Sequence, residues 1–408
     1  MSGLLRPGVH RVAGLVDDAA VLGAMLRVEV AWSRALVVAG LAPPRQADVV
    51  ADAAIDLAPD LGDLIEAAEN TGNPATALIA HLRSAVQAQD PDAAGVVHRG
   101  LTSQDVVDSA LMTIARDGVA RLRGDLRRAG AELAVLAERH RGSVMAGRTL
   151  TQWAVPTTFG LKAAQWLAGV SEAVTVLDAL RFPVQYGGAA GTRALLAALT
   201  GDADQAPVVR SFAEHLGLHP ASVPWHTRRR AVTAIGDALV TVTDALGVVA
   251  ADVLLLSRPE IAEVSEGESP ARGGSSTMPH KRNPVLSVLV ASAARQAPQL
   301  AATLHLAAAG AVDERPDGAW HSEWPALAAL LEIAVTAGEQ AAELVAGLQV
   351  HPDAMAARAQ HASTALLAES PGLTDVRGYL GDCDRIIEAV LTEWAAVTDT
   401  QREDPTDA

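Results

Sequence analysis

The chain has 408 residues with 48 acidic and 32 basic side chains, a formal net charge of −16 and a pI near 5.1, which excludes non-specific capture of nucleic acid or anionic lipid. Hydrophobic residues make up 50% and aromatics only 3%, so the core is built mostly from alanine, leucine and valine, and an all-α fold is expected from their propensities. A single cysteine, Cys383, excludes an intramolecular disulfide framework and fits a reducing compartment.

Met1 to His10 contain no long apolar run, and the apolar stretches elsewhere are broken by charges within fewer than ~18 residues. Neither a secretory signal nor a membrane span is expected, and the chain reads as soluble and cytoplasmic. An amphipathic helix is predicted over 15–39, with Leu15, Leu22, Leu26, Val30 and Leu36 near one stripe and Gly40 and Pro43-Pro44 ending it. A second helix covers 45–58, and a third breaks at Asn70-Thr71-Gly72-Asn73-Pro74, strong turn chemistry, before running on over 75–88.

Thr102 or Ser103 ahead of Asp105 reads as a helix N-cap with an acidic first turn, and such an N-terminus also suits a carboxylate. The helix that follows carries a heptad seam through Ala115, Val119, Leu122, Leu126, Ala129, Leu133 and Leu136. Residues 147–160 read as a second polar loop feeding a helix at 158–182. The Gly-rich turn from Gln185 to Thr192 follows no strand pattern, so a dinucleotide fingerprint is not supported.

The clearest periodicity is in 227–257, where Val232, Ile235, Leu239, Val242, Leu246, Val249, Val253 and Leu256 step by three and four without a miss. Further long helices are predicted over 284–310 and 321–347, and shorter ones near 352–368 and 378–397. About five long apolar seams exceed what a small monomer covers, so a homo-oligomer is expected. His226 and His321, each beside a tryptophan, read as structural as readily as functional, and Arg228 to Arg230 as a solvated helix start.

Between two of these helices lies Arg272-Gly273-Gly274-Ser275-Ser276-Thr277-Met278-Pro279-His280-Lys281-Arg282-Asn283-Pro284. By composition this is a connecting loop, with glycines for backbone freedom and prolines that fix turns. The chain has only two lysines, Lys162 and Lys281, and one of them sits here. A compact ammonium does chemistry that a guanidinium does not, which marks the loop as a candidate site.

Gly274 to Pro284 fit the pattern Gly-Ser-Ser-x-Met-Pro-x-Lys-x-Asn-Pro at every fixed position, and the chain therefore resembles the fumarase/aspartase superfamily from about residue 15 to 350. The resemblance implies an N-terminal helical domain over 1–97, a central long-helix bundle over 98–348 and a short C-terminal helical domain over 349–408. It also implies a homotetramer in which each site draws loops from three subunits.

Thr102-Ser103-Gln104-Asp105, the Tyr186 to Gly191 turn, Trp225-His226-Thr227 and Trp320 to Trp324 look most like the bacterial 3-carboxy-cis,cis-muconate cycloisomerases. Adenylosuccinate lyases come second through Gly100 to Ser103 and Pro156 to Lys162. By the family pattern Ser275 exchanges a proton with the substrate carbon, while Lys281 and Asn283 hold the carboxylate whose charge grows. Thr102, Ser103 and Gln152 bind further carboxylate oxygens, His98 lies at the site edge, and Ser276, Thr277 and Met278 line the substrate. Arg315 reads either as meeting a substrate carboxylate or as pairing with a neighbouring acid. No metal, cofactor, nucleic acid or membrane is implied; the partner is a small polycarboxylate.

Members that expel an amine carry a histidine directly after Gly-Arg-Thr, and here that position is Leu150. An amine leaves poorly without a proton donor, whereas a carboxylate, with a pKa of about 4, leaves or attacks unaided. The expectation is a cycloisomerase that lactonises 3-carboxy-cis,cis-muconate through an enediolate. Adenylosuccinate cleavage or another β-elimination is the alternative, and a non-enzymatic member a more distant one.

Overall fold

The computed structural model describes residues 3–201, 203–267, 272–274, 277–278 and 280–399. Asp17 caps α1 (Asp18–Val38) by accepting from the Ala20 amide, and α2 (Pro44–Asp56) starts on a proline whose missing amide is no loss there. The 70–74 turn ends α3 (Leu61–Thr71) at the left-handed Gly72 and opens α4 (Ala75–Gln89), whose first amides donate to Asn73 Oδ1. Then α5 (Ser103–Arg139) runs for 37 residues, about 55 Å at 1.5 Å per residue. Every predicted seam residue from Ala115 to Leu136 is buried.

After α5 the polar segment is not a loop. Strands β1 (Val144–Thr149) and β2 (Gln152–Thr158) form an antiparallel hairpin that leads into α6 (Phe159–Asp178). The strands were hidden because they are short, because Gly147 makes a bulge, and because the two-residue turn lacks the Asn-Gly signature. Two short helices, α7 (Ala194–Thr200) and α8 (Ala206–Leu216), were also unforeseen.

Next, α9 (Arg230–Leu256) buries all eight predicted seam residues, from Val232 to Leu256. By length and composition it could cross a membrane, but it lies in this bundle among α6, α10 (Val285–Ala309) and α11 (Gly318–Ala346). Between α9 and α10 the short β3 (Val264–Ser265) pairs with β4 (Gln349–Val350). The predicted helix over 352–368 is two helices, α12 (Pro352–His361) and α13 (Ser363–Leu366), and α14 (Cys383–Asp399) closes the described chain. Trp394 of α14 seats against α5 where Gly130 leaves room, since a Cβ there would meet the indole at 2.3 Å. The all-α expectation holds, with α5, α9, α10 and α11 the longest of the described helices and α1 and α6 next at 21 and 20 residues.

Candidate active site

One end of the bundle collects the starts of α5, α9 and α11. Asp105, fully buried, accepts four hydrogen bonds there. Its Oδ2 takes the amides of Thr102 (3.0 Å) and Gly188 (2.9 Å), and its Oδ1 takes the Gly187 amide (2.9 Å) and His226 Nε2 (2.8 Å). This is the reciprocal half of a capping box, extended to a second loop: the carboxylate that caps α5 also pins the Gly-rich turn beside it. Thr102 and Ser103 remain partly exposed at the helix N-terminus, where free amides and the dipole favour an anion.

Arg315 donates through Nη2 to Thr102 Oγ1 and to the Ala189 carbonyl (3.3 Å), and no carboxylate forms an ion pair with it among the described residues. Of the two readings of Arg315, the neighbouring acid is therefore absent, and its charge adds to the α5 N-terminus. His98 stands at the same end, its Nδ1 2.7 Å from Glu29 Oε1.

Beneath these residues the three-arginine run is solvated at Arg228 and Arg230, as expected, but not at Arg229. The Arg229 side chain is 1% exposed and is held by Asp108 (2.7 and 2.9 Å) and Glu323 (2.6 Å), while Trp320 Nε1 also donates to Asp108 (2.9 Å). Burial alone would depress the guanidinium pKa; the two carboxylates reverse that and raise it. Burial pushes the Glu323 carboxyl up more than Arg229 draws it down. His226 is structural in the sense that it completes the Asp105 clamp, and His321 Nε2 lies 2.7 Å from the Gly72 carbonyl oxygen, tying α11 to the 70–74 turn.

The opposite end holds the other predicted residues. The hairpin projects beyond the C-terminus of α5, where the Phe159 and Gly160 amides donate to Ser143 and His140. Its turn residues Leu150 and Thr151 both have positive φ, 47° and 73°, a conformation costly for a leucine and more so for a β-branched residue. Leu150 is 96% exposed at the tip, and Gln152 beside it donates to Thr151 Oγ1. Two residues before the turn, Arg148 pairs with the buried Glu263, just past α9.

Ser275 and Ser276 lie outside the described residues, as does Pro279. Thr277, Met278 and Lys281 are exposed. Asn283 closes the neck of the loop, its backbone and side-chain amides both donating to the Gly273 carbonyl (2.8 and 3.1 Å). Gly273 itself has φ 76°, and a Cβ there would sit 2.6 Å from the Asn283 oxygen. Glu266 caps α10 through the Leu286 and Ser287 amides (3.2 and 2.7 Å), so that helix start is already occupied by a carboxylate.

The loop is also anchored by charge. Arg272 pairs with Glu343 of α11, which Arg11 also contacts (2.6 Å). Burial pushes the Glu343 carboxyl up, but hydrogen bonds from Arg272 and Arg11 outweigh it and hold its pKa below the ordinary value. A lowered folded-state pKa stabilises above the unfolded pKa and is lost as pH falls through the folded one. Glu343→Gln at neutral pH, or wild type taken below the usual carboxylate range, should therefore lower the protection factors for hydrogen exchange across residues 280–283 several-fold, once the intrinsic pH dependence of exchange is divided out. Unchanged protection in both would show that the anchor does not hold the neck.

Thus Thr102, Ser103, His98 and Arg315 stand at one end of the bundle, and Gln152, Lys281 and Asn283 lie towards the other. Sequence reasoning missed Glu29, Glu266 and the central position of Asp105 and Arg229. One signal was available: Asp105 and Asp108 are three residues apart and share a face of α5.

A family described as lyase matches residues 14–298, and the chain belongs to it, within the fumarase/aspartase superfamily. A nitrosuccinate lyase of Streptomyces davaonensis is 46% identical over 363 residues, covering 87% of this chain and 76% of that protein. A 3-carboxy-cis,cis-muconate cycloisomerase of Bradyrhizobium diazoefficiens is 39% identical over 377 residues, covering 91% and 82%. The crystal structure of the 3-carboxy-cis,cis-muconate lactonizing enzyme from Pseudomonas putida superposes with a TM-score of 0.85 at 28% identity, covering 97% of this chain and 100% of that one.

Proposed function

We propose that the protein eliminates an anion that is stable without a proton from a carbon adjacent to a carboxylate-bearing carbon, with nitrosuccinate as substrate and nitrite as leaving group. The observation that carries this reading is Leu150, exposed at the hairpin tip where amine-expelling relatives place a histidine. Nitrous acid is about as strong an acid as a carboxylic acid, so nitrite departs without a general acid. The 46% identity to a nitrosuccinate lyase supports the choice of substrate.

In the reaction a base removes the proton from the carbon next to one carboxylate, and the electron pair moves into that carboxyl as an enediolate. The pair then returns to form the carbon–carbon double bond as the neighbouring C–N bond breaks and its electrons leave with nitrite. The products are fumarate, nitrite and a proton. Ser275 is assigned the proton transfer and Lys281 the stabilisation of the enediolate, the electrostatic effect that usually contributes most in such sites. Thr102, Ser103 and Arg315 hold the second carboxylate.

Because Lys281 lies far along the bundle from Thr102, Ser103 and Arg315, a complete site takes loops from different copies. A homotetramer with shared sites is therefore part of the proposal. The second reading, lactonisation of 3-carboxy-cis,cis-muconate, is supported by the 39% relative and uses the same machinery with an intramolecular carboxylate.

The test incubates purified protein separately with nitrosuccinate, 3-carboxy-cis,cis-muconate and adenylosuccinate. Stoichiometric fumarate and nitrite are expected from the first and no cleavage of the third. Turnover of the muconate alone selects the second reading, and cleavage of adenylosuccinate refutes the argument from Leu150.

A further inference from the structure

We propose that Glu29 is a positioning residue for His98, holding the imidazole so that Nε2 donates a hydrogen bond to a carboxylate of the substrate beside Thr102 and Ser103. This inference rests on the polycarboxylate reading above. The Glu29 side chain is 0% exposed, and its Oε1 lies 2.7 Å from His98 Nδ1, while its Oε2 has no hydrogen-bond partner among the described residues. A buried carboxylate with a single partner and one empty oxygen is a poor stabilising device, because an apolar side chain of the same shape would serve the fold as well. Its geometry instead fixes which ring nitrogen is free. With Nδ1–H given to Glu29, Nε2 is the nitrogen left at the partly exposed edge of a side chain that keeps 17% of its surface.

The backbone under His98 is strained for the same end. His98 has φ 62°, a left-handed conformation that few non-glycine residues adopt. Neighbours hold it there: Trp32 Nε1 donates to the Arg99 carbonyl (2.9 Å), Arg99 Nη1 to Leu41 (2.9 Å) and Arg83 Nη2 to Val97 (3.2 Å). Thr102 follows four residues later and Arg315 bonds it, so the ring joins a cluster already suited to an anion. Nε2 donates in the doubly protonated ring, where Nδ1–H is given to Glu29 and Nε2–H is turned outward to the anion.

The experiment measures KM and kcat for the substrate the enzyme turns over, and in parallel the Kd for fumarate, a dicarboxylate probe that does not depend on which substrate is correct. Glu29→Gln and His98→Asn are each expected to raise KM and the fumarate Kd about tenfold or more, the worth of a charge-assisted hydrogen bond, with kcat changed only a few-fold. The double variant should be no worse than His98→Asn alone, since both remove one interaction. His98→Lys, whose ammonium needs no orienting acid, should restore much of the fumarate affinity in the Glu29→Gln background. Unchanged KM and Kd in folded Glu29→Gln, additive effects in the double variant, or wild type that does not bind fumarate would each overturn the assignment. Failure of nitrosuccinate turnover with the fumarate pattern intact would instead count against the choice of substrate.

Discussion

Replacing Ser275 by alanine is expected to leave substrate affinity within a few-fold and to lower kcat on the order of 10³-fold, within the range a positioned acid–base group contributes. The hydroxyl is assigned the proton on carbon, the hardest transfer in the sequence, because carbon acids give up protons only when the resulting charge is held. A serine alkoxide is a demanding base and depends on cationic and amide donors nearby. Lys281→Ala should therefore also lower kcat, by roughly 10²–10³-fold, because it removes charge stabilisation from the enediolate. Single-turnover kinetics separate binding from chemistry in both variants. Near-normal kcat in Ser275→Ala would remove the serine from the mechanism.

Arg229→Met is expected to destabilise the folded chain by about 3–5 kcal/mol, the cost of stripping one partner from a buried charge cluster. Asp108 and Glu323 would be left facing each other without a cation, at a place where Trp320 and Gln185 also depend on Asp108. The measurement is the urea midpoint followed by circular dichroism. Adding Asp108→Asn and Glu323→Gln to Arg229→Met should recover part of the loss, because the uncompensated charge disappears while hydrogen-bonding groups remain. A midpoint that does not move on Arg229→Met would mean that water reaches the cluster.

Much of the fold was legible because long helices with one apolar stripe announce themselves. The seams from Ala115 to Leu136 and from Val232 to Leu256 came out buried at every position named. The hairpin was not legible. Its strands of six and seven residues leave little alternation to detect, and a Leu-Thr turn in the left-handed region is not what local propensity selects.

At the site, Thr102 was readable as a cap from Asp105 three residues on. Arg229 was misread because charge runs usually face solvent, and nothing local marks the one arginine whose partners are 121 residues upstream and 94 downstream. Glu29 was invisible for the same reason: its partner His98 is 69 positions away.

The turn at Leu150 and Thr151 has an evolutionary side. Histidine and asparagine tolerate the left-handed region better than leucine does, so a proton donor would sit at this tip with less backbone cost than the residue found there. Next to the turn, the Gly147 bulge and the Arg148–Glu263 pair also hold the strands. Under the proposed reading, residue 150 is where the choice of leaving group would be altered. Substrate range in such a chain can drift by one codon, and the leucine records a choice that backbone economy alone would not have made.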